Sequence, residues 1–148
     1  PNAGIPLGSS TGARCKKARY AMTEQPFEIW LQRARSNLII ARTGKSEGVI
    51  LEDLCFEAQQ AAEKALKALL LYHGAEPPHT HAFTLLLMLL MEYQEIPETI
   101  REVVELSDYA VHTRYPGDYY PVNNEEYERA VELATRVIDW VTAQVTLQ

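Results

Sequence analysis

LEDLCFEAQQAAEKALKALLLYHG, residues 51–74, is the stretch on which the fold turns. Leu51, Cys55, Ala58, Ala62, Ala65 and Leu69 recur at alternating steps of four and three. That spacing is one face of an α-helix. The middle of the face is small, with Ala58, Ala61, Ala62, Ala65 and Ala68, so a neighbouring helix can come close. Leu66 and Leu70 widen the stripe. Glu57, Gln60, Glu63, Lys64 and Lys67 are expected on the other side or the flanks. Glu63 and Lys67 would form a favourable i,i+4 pair worth about 0.3–0.5 kcal/mol. Gly74 is a natural helix stop, with Pro77 and Pro78 just beyond. The segment reads as the central helix of an all-α bundle.

Composition bounds the rest. A chain of 148 residues with 47% hydrophobic content fits one domain. No apolar run reaches the roughly 18 residues that would suggest a membrane span. Cys15 and Cys55 make no disulfide framework or zinc spacing, so reduced thiols in a cytoplasm are the expectation. The net charge is -6, unevenly spread. Arg14, Lys16, Lys17 and Arg19 lie in the first 21 residues, which hold no acid; ten basic residues then face 20 acidic ones. That balance works against general nucleic-acid affinity, which needs clustered cations. Residues 1–22 read as a flexible arm or cloning remnant, with Met22 a plausible start. Residues 23–148 read as a single helical domain.

Pro26 suits a first helical turn, and Phe27, Trp30, Ala34, Leu38 and Ala41 mark the first helix. The short loop after Gly44 predicts an antiparallel second helix. Thr80 is placed to cap a third helix running through FTLLLMLLM. His79 and His81 form an H-x-H pair near His73, but no further ligands stand in register, so no metal is expected. Pro97 opens a fourth helix with Ile100, Val103, Val104, Leu106 and Ala110 on its apolar side, fading near His112. Asn123 with Glu126 is a capping box for a last helix, whose core face is Tyr127, Ala130, Val131, Ala134, Val137, Ile138 and Val141. There is no repeat, phosphate-binding glycine loop or strand alternation. The expectation is an all-α antiparallel four-helix bundle with an additional short helix.

Residues 112–121, HTRYPGDYYP, are the best functional candidate, because a charged residue set among aromatics in a loop needs a reason. Arg114, Tyr115, Asp118, Tyr119 and Tyr120 are the candidate cleft or partner-binding residues. Read from the residues alone, Arg114 pairs with Asp118 or Asp108 while the tyrosines pack the loop.

Two stretches carry a family resemblance. CFEAQQAAEKALKALL, residues 55–70, resembles the second helix of HEPN domains (higher eukaryotes and prokaryotes nucleotide-binding). The Arg-Tyr-Pro of 114–116 is similar to that of many short stand-alone members. The resemblance implies the bundle fold, a homodimer, and His81 as a structural, capping-type histidine. It also implies a ribonuclease motif, Arg-x4-6-His, with two copies facing across the dimer. In that motif the histidine moves a proton and the arginine holds phosphate, roles that suit their chemistry.

This chain keeps Arg114, but Tyr119, Tyr120 and Pro121 occupy the three positions where the histidine could fall. No histidine follows His112. A tyrosine titrating near 10 is a poor base at neutral pH. The catalytic candidates are therefore only Arg114, Tyr119 and His112, and the chain is expected to be a non-catalytic module rather than an enzyme. The resemblance further implies a minimal nucleotidyltransferase as partner, in a toxin–antitoxin-like pair; in some such pairs a HEPN tyrosine receives the nucleotide group. Two alternatives stand beside this: a metal-independent ribonuclease using Arg114, and a nucleotide-binding module. RNA or nucleotide would be the ligand in these. No cofactor and no membrane association are expected.

Overall fold

The computed structural model describes residues 25–109 and 121–146. It is all-α. The elements are α1 (Pro26–Ala41), α2 (Leu51–Tyr72), α3 (Phe83–Leu90), α4 (Glu98–Arg101), a 3-10 helix (Glu102–Asp108) and α5 (Asn124–Thr146). Helix α2 is the hub: it packs on α1, α3, α5 and the 3-10 helix. The basic arm of residues 1–22 lies outside the described residues.

The hub has the surface its sequence requires. Ala58, Ala61, Ala62, Ala65 and Ala68 are all fully buried, and so are Ala34 of α1 and Ala134 of α5. Small side chains on both partners of a helix pair bring the backbones close and raise the number of dispersion contacts. Polar links fasten the third side of this core: Arg35 of α1 and Arg42 just after it donate to Thr142 and Thr135 of α5. Tyr127 donates its hydroxyl hydrogen to the carbonyl of Ala41.

The helix ends follow local chemistry. Gly74 adopts φ +85, where an L side chain would be strained. The Gly74 amide then donates to the Leu71 carbonyl and the Ala75 amide to that of Leu70, closing α2 in a Schellman motif. At α5 the Glu126 amide donates to Asn123 Oδ1 at 2.8 Å, and the Asn123 amide to Glu126 Oε1 at 3.3 Å. This is the expected capping box. Thr80 is not the cap of α3. That position is Ala82, whose amide donates to the Thr80 hydroxyl at 3.0 Å, so the threonine shapes the approach to the helix instead.

The fourth segment departs from expectation. It is one α-helical turn continued by a 3-10 helix, not a continuous α-helix to His112. Ile100, Val103 and Leu106 are the buried residues, at steps of three. Three residues per turn is the 3-10 period, so the tighter helix keeps all three on the core. Val104, assigned to the apolar side of an α-helix, is exposed. Ala110 lies outside the described residues.

Since Ala62 and Ala65 are completely enclosed, a leucine at either position has no room. Ala62→Leu and Ala65→Leu should each lose about 1–3 kcal/mol by overpacking. Urea unfolding followed by circular dichroism checks this. Two variants with the wild-type midpoint would show that the seam is loose.

Candidate functional site

All the residues singled out as candidates, His112, Arg114, Tyr115, Asp118, Tyr119 and Tyr120, lie in 110–120, outside the described residues. The structure describes the walls that precede and follow that segment. The end of the 3-10 helix contributes Glu105, Leu106, Asp108 and Tyr109. The first turns of α5 contribute Glu125, Glu126, Arg129, Ala130 and Leu133. Together they line an open cleft of about 460 Å³.

The cleft is acidic. Among the described residues it is lined by Glu105, Asp108, Glu125 and Glu126 and by one guanidinium, Arg129, which is already engaged. Arg129 Nη2 is 2.9 Å from Glu105 and 3.6 Å from Glu102. Its hydrogen bond holds the Glu105 carboxyl below the usual carboxylate range, and Glu105 in turn raises the guanidinium. Arg136 continues the lattice, 2.6 Å from Glu102 and 2.8 Å from Glu132. These pairs clamp the 3-10 helix to α5.

Two groups, Tyr109 on the wall and Cys55 in the core, are pushed toward the protonated form. Burial, then the negative charges of Glu126 and Glu52, pushes the Cys55 thiol up to about 12. Burial, then Cys55 and Glu126, pushes the Tyr109 phenol up to about 12. Neither a thiolate nor a phenolate is available there at neutral pH, so neither can serve as a nucleophile or base.

The expected i,i+4 pair of Glu63 and Lys67 forms, but inside a second polar cluster whose burial and other members were not foreseen. Glu63 and Lys67 are 3% and 6% exposed, not on a solvated face, and Gln59 beside them is fully buried. Glu63 Oε2 accepts from Lys67 Nζ at 2.9 Å. Glu63 Oε1 accepts from Gln59 Nε2 at 2.8 Å and meets His81 Nδ1 at 2.9 Å. An ionised carboxylate only accepts, so His81 donates through Nδ1–H. Lys67 also stands 5.8 Å from the centre of the Trp30 ring. The histidine is structural, as the resemblance implied, but it caps no helix. It fastens the connection before α3 to α2.

The signal for this cluster was the all-round apolarity of residues 51–72. Leu54, Leu66 and Leu70 are buried as well as the first stripe, so the helix is covered on several sides and some polar residues go inside. Away from its two ends, the polar side chains that keep a partial outlook on solvent are Glu57, Gln60 and Lys64. There Asn37 of α1 donates to Glu57 Oε1 at 2.7 Å and accepts from Lys64 at 2.8 Å. Burial holds the Lys64 ammonium below the ordinary lysine range.

Among the described residues no three histidine, cysteine or carboxylate side chains converge as a metal site requires. His73 is bonded to Gln94 at 2.7 Å and stacked on Tyr93. No helix among them is long and apolar enough to cross a membrane.

The sequence profile of the HEPN domain matches residues 27–144, both polar clusters included. The chain belongs to the HEPN family. Two solved structures are similar to it over 80% of its length. TT1696 from Thermus thermophilus is 34% identical, with a TM-score of 0.71 and 98% of its own chain covered. ST0689, an archaeal HEPN homologue, is 32% identical, with a TM-score of 0.66 and 97% covered. No curated protein matches the chain. The HEPN match begins at Phe27 and so excludes the basic arm.

The buried charges of this HEPN domain should be costly to separate. Lys67→Met leaves the Glu63 carboxylate inside without its cation and should lose about 3–5 kcal/mol in denaturant unfolding. Glu63→Gln combined with Lys67→Met should recover part of that loss. His81→Ala should cost less, about 1 kcal/mol, because its ring is half open to water.

The cleft wall should respond to acid. The folded Glu105 carboxyl is depressed by Arg129. Its stabilising effect is complete above the unfolded glutamate value of about 4.3 and is lost as pH falls through the lower folded value. Comparing urea midpoints at neutral and strongly acidic pH, Arg129→Gln should fall less steeply than wild type. The difference should shrink in high salt, since these groups face solvent.

Proposed function

We propose that this HEPN protein is a dimerising partner module whose own ribonuclease motif is broken. Its partner, on this reading, is a minimal nucleotidyltransferase in a toxin–antitoxin-like pair in the cytoplasm. The observation that carries the proposal is Tyr119 standing where the family motif, counted from Arg114, has histidine, with no histidine beyond it.

The cleft walls support this reading. Tyr109 and Cys55 hold their protons too tightly to replace the absent imidazole. Four carboxylates around one neutralised arginine oppose the approach of an RNA backbone.

Dimerisation is supported by the outer face of α3. The leucine-rich run of α3 leaves little room for a polar face, and it is only half covered. Phe83, Leu86, Leu87 and Leu90 are buried, while Leu85, Met88 and Met91 are 39%, 60% and 51% exposed. They recur at steps of three and form one apolar row. Such a row on a solvent face is a protein-interaction surface in waiting. The protein should be a homodimer by light scattering at micromolar concentration, and Met88→Glu should shift it toward monomer. A monomeric wild type would overturn the dimer.

Purified protein should show little or no RNA cleavage at neutral pH, because losing a general base or acid typically costs about 10²–10⁴-fold. Tyr119→His recreates Arg-x4-His and should raise cleavage or cellular toxicity; adding Arg114→Ala should abolish the gain. Robust wild-type cleavage lost in Arg114→Ala would instead make the protein a metal-independent ribonuclease. Cleavage lost in His112→Ala would assign the missing role to that histidine. Co-purification with a neighbouring nucleotidyltransferase tests the partner directly.

A further inference from the structure

We draw no further inference here: the strongest candidate, the groove around Trp30 between the start of α1 and the turn bearing Pro77, Pro78 and His79, sets a lysine already neutralised by Glu63 beside Glu76, and nothing in the structure shows what covers it.

Discussion

A helix covered on several sides cannot leave every charged side chain to water, and in α2 Glu63 and Lys67 go inside. That constraint on α2 governs much of the molecule. Gln59, Glu63 and Lys67 stand four residues apart on a buried flank of the helix. A lone carboxylate there would carry a desolvation penalty far above any surface pair. The solution is local first: Lys67 and Gln59 each reach Glu63 along the helix. It is then completed from outside by His81. The residue that completes the shell belongs to the connection before α3, so the electrostatics of α2 help fix where α3 begins. Buried ion pairs are weak evidence for net stability, because desolvation offsets the attraction. Their value here lies in allowing few alternative positions for the connection.

The alanine seam answers a different need. Ala58, Ala62 and Ala65 contribute little apolar area each, and a core of such residues would be weak by area alone. They contribute by letting α1 and α5 approach α2, so that Leu31, Leu38, Leu133 and Val137 can fill the edges of each interface. The larger core side chains are placed around the seam rather than in it. Phe83, Leu86 and Leu90 cover α2 from α3, and Val103 and Leu106 from the 3-10 helix. Overpacking at the seam therefore acts on several contacts together.

Much of this was legible in residues 51–74. The steps of four and three define the seam, and Gly74 and the Asn123–Glu126 box mark helix ends with their own chemistry. Two things were not legible, each for a physical reason. Helical periodicity tells the angle of a side chain about its axis, not how many neighbours surround that axis. Glu63 and Lys67 were thus placed on the other side or the flanks, although they are buried there, with His81 and Trp30 beside them. Likewise Ile100, Val103, Val104 and Leu106 satisfy an α-helical face as readily as a 3-10 one. Only the burial of every third residue and the exposure of Val104 separate the two. The candidate site was readable as a motif and as its departure, Arg114 with Tyr119. Its walls were not, because Glu105, Asp108, Glu125 and Glu126 meet only when the 3-10 helix is clamped to α5 by Arg129 and Arg136.

Those walls bear on what a broken motif can still do. In the HEPN arrangement the arginine manages phosphate charge and the histidine moves the proton; losing the second leaves a phosphate-holding group with no chemistry to assist. A replacement base would need a perturbed pKa close to neutrality and a position at the cleft. The nearest described groups shift the wrong way. Tyr109 and Cys55 rise because burial and nearby carboxylates both penalise negative charge. Glu105 falls because Arg129 stabilises its anion. Each shift follows from the packing or the ion pairing around the group. An acidic mouth with one engaged arginine and an apolar row on α3 are features a protein partner can use more readily than an RNA strand can. On the proposed reading, these walls suit recognition between proteins.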